Sequence, residues 1–96
     1  MFQIQIRVLA KEDIQSITDY YDLKASYITD IFLENLYAEL DIIANKPELF
    51  QEKYRKTRVR YLKKFPFGIH YKIEGGRIVV LAVLHTSRNP KRWRTK

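Results

Sequence analysis

The stretch FGIHYKIEGGRIVVLAVLH, residues 67–85, reads as two strands joined by a tight turn. Phe67, Ile69, Tyr71 and Ile73 alternate with Gly68, His70 and Lys72, the period-two pattern of a pleated strand. Gly75-Gly76 suits a two-residue hairpin loop, because such loops need positive φ, which glycine adopts freely. Residues 77–85 are rich in β-branched side chains and apolar at successive positions, which predicts a central strand. A two-residue loop pairs Glu74 with Arg77 and Ile73 with Ile78. Continuing the ladder sets Tyr71 opposite Val80, Ile69 opposite Ala82 and Phe67 opposite Leu84. All of these pairs beyond the turn are apolar, so this face is predicted to pack against the rest of the chain. The other face pairs Lys72 with Val79, His70 with Leu81 and Gly68 with Val83.

Upstream, residues 54–62 form a candidate strand, with Val59 and Tyr61 on one side and Arg58, Arg60 and Leu62 on the other; Pro66 ends it. At the start of the chain Phe2, Ile4, Ile6 and Val8 alternate with polar residues and predict another strand. From Ala10 the period changes: Ala10, Ile14, Ile17 and Tyr21 mark one face of a helix. After a break near Leu23 and Lys24, a longer helix follows, with Ala25, Ile28, Phe32, Leu36, Leu40 and Ile43 facing inward. Asn45 and Pro47 are expected to stop it, Asn as a left-handed cap and Pro because it cannot continue a helix. The pattern predicts one α+β domain over residues 1–96. It has an N-terminal strand, a helical hairpin and a three-stranded antiparallel meander, with the hairpin covering one face of a four-stranded sheet. On the uncovered face, Val79, Leu81 and Val83 beside Lys72 form a half-apolar row. That row is either a partner-binding surface or is covered by residues 48–56 or by the basic tail, residues 86–96.

The 96 residues are 46% hydrophobic and contain no cysteine, which excludes disulfide scaffolds, Cys-ligated metal and a cysteine nucleophile. The longest apolar run, residues 78–84, is far shorter than a membrane span, and the first residues do not read as a signal peptide. A cytoplasmic protein is expected. The net charge of +7 is divided unevenly. Residues 1–52 carry 4 Lys/Arg against 10 Asp/Glu, net −6; residues 53–96 carry 14 Lys/Arg against Glu74 alone, net +13. A basic half of this kind suits a polyanion: RNA, DNA or an acidic protein.

The same scarcity of carboxylates restricts the chemistry. A Ser-His-Asp triad and a metal site built on His70 and His85 are both poorly supplied, Ser87 has no nucleophile-elbow context, and Gly75-Gly76 is explained by the hairpin. Metal-free cleavage of RNA through its own 2′-hydroxyl needs a base, an acid and a cation on the phosphate, and His85 with Arg88 at a strand end can supply such roles. Trp93, among Lys91, Arg92 and Arg94, is placed either to stack on a base or to pin the tail to the sheet.

Taken in order, several motifs resemble the RelE/ParE superfamily of toxins from bacterial type II toxin–antitoxin modules. They are Ala10-Lys11-Glu12-Asp13-Ile14, Pro47 after the second helix, Val59-Arg60, Phe65-Pro66-Phe67-Gly68-Ile69-His70-Tyr71, and Val83-Leu84-His85-Thr86-Ser87-Arg88-Asn89-Pro90. The resemblance covers nearly the whole chain and implies a growth-inhibiting toxin of the plasmid-stabilisation kind. It implies a cognate antitoxin in a toxin–antitoxin hetero-oligomer, and neither cofactor nor metal. RelE-type members cut messenger RNA on the ribosome, whereas ParE-type members poison DNA gyrase. RelE-type nucleases are similar to this chain at Tyr71 and Arg88, but they carry arginine where this chain has Gly68, and many end in a tyrosine- or histidine-bearing tail. Phe65-Pro66-Phe67 and the His85 to Arg88 ending look more like the ParE side. The expectation is a ParE-like toxin that binds its target through Arg58, Arg60, Arg88, Lys91, Arg92 and Trp93, with the antitoxin on Val79, Leu81, Val83 and Lys72. The alternatives are a ribosome-dependent endoribonuclease using Arg60, His85 and Arg88, with Arg60 replacing the missing arginine, and a degenerate member without toxicity.

Overall fold

The computed structural model describes residues 1–87. The chain runs β1 (Gln3–Ile6), α1 (Val8–Lys24), α2 (Ser26–Asn45), a 3-10 turn (Pro47–Leu49), β2 (Glu52–Tyr54), β3 (Thr57–Tyr61), β4 (Phe67–Glu74) and β5 (Arg77–His85). The sheet order is β1-β5-β4-β3-β2. β1 lies parallel to β5, and the other neighbours are antiparallel. The α+β architecture is the expected one, with a fifth strand added at the edge.

That extra strand comes from the division of residues 54–62. Arg55 (φ 45°) and Lys56 (φ 61°) both adopt the left-handed region, closing a two-residue turn in which Tyr54 pairs with Thr57. Arg-Lys carries none of the Gly or Asn signal that normally marks such a turn, so the break is invisible to pattern reading.

The helices meet at one extended residue, Ala25, whose N–H donates to Tyr21 O. Across this corner the Thr29 hydroxyl donates to the Asp22 carboxylate at 2.6 Å. α2 ends without a left-handed cap. Asn45 remains helical and donates its side-chain amide to Asp41 O, and Lys46 (φ −140°) follows it. Pro47 opposes helical geometry in the residue before it and starts the 3-10 turn.

Both helices cover the same face of the sheet. Phe32, Leu36 and Ile43 of α2 share a core with Ile69, Tyr71, Ile78 and Val80. An aromatic cluster of Tyr21, Phe32, Phe65 and Phe67 closes one end, with ring centroids 5.4–6.0 Å apart. Truncating a buried Phe or Leu in such a core costs about 2–5 kcal/mol.

The β4–β5 ladder follows the predicted register through Tyr71↔Val80 and then departs from it. Leu81 is an extra residue, so His70 pairs with Ala82, Ile69 with Val83, Gly68 with Leu84 and Phe67 with His85. The bulge swaps the faces of everything beyond it. Val83 joins the core beneath the helices, and Leu84 turns to the other side. A run apolar at every position assigns no side chain to one face, so nothing in it opposes a one-residue slip. No described helix packs on the other face, yet its side chains are not open: His70, Val79, Ala82 and Leu84 are 1–6% exposed. Residues 52–54 pair at the sheet edge, and from there Tyr54 reaches across β3 over this face to His70, ring centroids 5.8 Å apart, so the 48–56 segment covers part of it; the tail beyond Ser87 lies outside the described residues. No described helix is long and apolar enough to cross a membrane.

Candidate functional site

On β3, Arg58 and Arg60 project from the helix-covered face, opposite Tyr71 and Ile69. Arg60 Nε donates to the Glu39 carboxylate of α2 at 2.6 Å, and Glu39 is 2% exposed. The Arg60 guanidinium also lies 4.5 Å above the Phe50 ring, a cation–π contact. Arg58 donates to Phe50 O at 2.7 Å and reaches the Glu52 carboxylate at 3.3 Å. Both cations are therefore held by the chain itself, and removing Arg60 would leave a buried carboxylate uncompensated.

Tyr71 is fully buried and donates its hydroxyl to Pro47 O at 2.6 Å. Burial pushes its hydroxyl up to about 12, against the lowering pull of Arg58 and Arg60. A phenol so enclosed ties the 3-10 turn to the sheet and has no route to a substrate.

Gly68 lies between Tyr61 and Leu84 in the ladder. A Cβ at this position would come within 2.9 Å of Val59 Cγ1 and 3.1 Å of the Tyr61 ring. The position is closed to any side chain without repacking, which supplies a physical reason for glycine where RelE-type nucleases carry arginine.

His85, at the exposed end of β5, accepts the Ser87 N–H at Nδ1 (3.1 Å), and the Ser87 hydroxyl lies 2.8 Å from the same nitrogen. An Nδ1 that accepts has no proton, so the ring proton sits on Nε2, the nitrogen free to face solvent. On the helix-free face, His70 is buried, with its Nδ1 3.0 Å from the Tyr54 hydroxyl. Among the described residues no three His, Asp or Glu side chains converge as a metal site.

Arg60 is bound to Glu39 of α2, and His85 ends β5 two strands away, at the same end of the sheet. Arg88, like Lys91, Arg92 and Trp93, lies outside the described residues. Of the row expected to meet an antitoxin, Lys72 and Leu81 are partly exposed, Leu81 marking the bulge, whereas Val79, paired with Lys72, is only 2% exposed and offers no contact surface. Val83 does not belong to that row, because the bulge turns it into the core.

A feature absent from the expected set is a groove of about 890 Å³ on the helix-free side, running from the start of α1 to the β2–β3 turn. Arg7, Lys11, Arg55 and Lys72 line it together with Tyr54, Thr57 and Leu81, and no carboxylate is among its described lining residues. Arg7 and Lys11 come from the acidic half of the chain, where a count by halves conceals them.

The family model for the ParE toxin of the type II toxin–antitoxin system, parDE, matches residues 4–90. Among solved structures, the chromosomal ParDE TA system from P. aeruginosa superposes with a TM-score of 0.78 at 15% identity, covering 88% of this chain and 96% of that one. At that identity the likeness is one of fold. No curated protein sequence matches the chain.

Proposed function

The chain belongs to the ParE toxin family of type II toxin–antitoxin systems, and from this we propose that it inhibits growth by binding a nucleic-acid-handling target, DNA gyrase, rather than by cutting RNA. The observation that carries this reading is the Arg60–Glu39 pair. Arg60, the cation expected to replace the missing nuclease arginine, is committed to a buried carboxylate. The enclosed Tyr71 hydroxyl agrees with it. Action on gyrase places the protein in the cytoplasm.

In the same reading a cognate antitoxin neutralises the toxin by covering the helix-free face, with apolar side chains at Leu81 and acidic ones at Lys72. Purified protein incubated with gyrase, ATP and supercoiled plasmid should accumulate cleaved DNA after detergent and protease treatment. Antitoxin added first should prevent this, and unchanged supercoiling with no cleaved product would remove gyrase as the target.

A further inference from the structure

We infer that the groove on the helix-free face binds a single strand of nucleic acid. Four independent features meet there. Arg7, Lys11, Arg55 and Lys72 line it, and its described lining contains no carboxylate. Among the described residues, the carboxylate paired with these cations is Glu74, 3.8 Å from Arg7, with both side chains about half exposed and the pair correspondingly weak. α1 begins at the groove with Arg7 at its cap, no side-chain cap bond and no acidic residue in its first turn, so its positive end is not neutralised. Thr57 lines the groove at 1% exposure, and its hydroxyl has no hydrogen-bond partner among the described residues. A buried hydroxyl without a partner is costly, a cost that a phosphate or base acceptor relieves.

The spacing of the cations selects a strand over a single nucleotide. Arg7 follows β1 at one edge of the sheet, Lys72 is on β4 in the interior, and Arg55 sits in the β2–β3 turn at the opposite edge. From β1 to β2 four strand intervals of about 4.8 Å give roughly 19 Å, farther than one phosphate group can span. Arg55 and Lys56 both hold the left-handed backbone that L side chains rarely adopt. Such strain persists where it positions side chains, and here it holds a basic tip over one end of the groove. Exposed Val8 and Leu9, with half-exposed Leu81, supply the apolar wall against which bases can lie.

The inference does not depend on gyrase being the target, and its test uses no gyrase. Anisotropy of a fluorescein-labelled 12-nucleotide single-stranded DNA is measured against the full-length protein from 50 to 200 mM salt. Arg55→Asn with Lys72→Gln removes two groove cations while keeping a residue that tolerates positive φ at 55. Lys63→Gln with Lys64→Gln removes the same charge elsewhere. The groove pair should weaken binding at least tenfold and reduce the log–log salt slope by about 1.4, at about 0.7 per single-strand phosphate. The control pair should weaken it less than threefold. Thermal melts of both pairs establish that they fold. Equal weakening by the two pairs, no binding at 50 mM salt, or tighter binding of a 12-residue polyglutamate than of the oligonucleotide would each overturn the assignment.

Discussion

Arg60 of β3 and Glu39 of α2 are 2.6 Å apart, with the carboxylate sealed from water. Twenty-one residues separate them in the chain. The pair joins the helical hairpin to the sheet and holds the Arg60 guanidinium against α2. Removing one partner strands the other, a loss of about 3–5 kcal/mol for a buried pair. Urea unfolding of Arg60→Ala should show that loss, whereas Glu39→Leu with Arg60→Met, which removes both charges, should recover most of it. Equal losses for the single and the double variant would mean that the charge pairing is not what is being measured.

Tyr71 predicts an alkaline limit to stability. Burial raises its hydroxyl from 10.0 to about 12 in the folded chain, so the fold favours the neutral form. That contribution is complete below pH 10 and is lost as pH rises from about 10 to about 12. Tyr71→Phe gives up the bond to Pro47 O, an expected cost of about 1 kcal/mol at pH 7. It should also flatten the decline of stability above pH 10, visible in unfolding curves taken at half-unit pH steps. A Phe variant declining as steeply as the parent would contradict the assignment.

Gly68 should not accept the arginine of RelE-type nucleases. A Cβ alone comes within 2.9 Å of Val59, and overpacking of this kind costs about 1–3 kcal/mol. Gly68→Ala should therefore lower the melting temperature, and Gly68→Arg should lower it further without creating RNA cleavage. An arginine variant as stable as the parent would show that the β3–β4 contact is looser than described.

Leu81 offers the clearest handle on the antitoxin. It is half-exposed at the bulge and outside the buried core, so Leu81→Asp should leave the thermal melt nearly unchanged while weakening antitoxin binding at least tenfold, about 1.4 kcal/mol. Calorimetric titration with the purified antitoxin measures both affinity and stoichiometry. Unchanged affinity would move the antitoxin to another face.

The parts of this fold legible in the sequence are those with clean periodicity. The alternation around Ile69, Tyr71 and Ile73 and the helical spacing of Phe32, Leu36 and Ile43 each assign a side chain to one face. What escapes reading lacks such a preference. The bulge at Leu81 sits in a run apolar at every position, so no residue there resists a change of face. β2 is hidden because Arg55 and Lys56 enter left-handed geometry without glycine or asparagine. Arg60 reads as a free cation because its partner belongs to a distant helix. The groove is missed because two of its cations, Arg7 and Lys11, stand in the half of the chain whose net charge is negative.

The account rests on the toxin acting by binding, without cutting RNA. The most direct test programs purified ribosomes with a defined messenger, adds the protein, and maps the 5′ ends of the RNA by primer extension. The account predicts an intact messenger at toxin concentrations that arrest growth. Codon-specific cleavage that disappears in His85→Ala would contradict it.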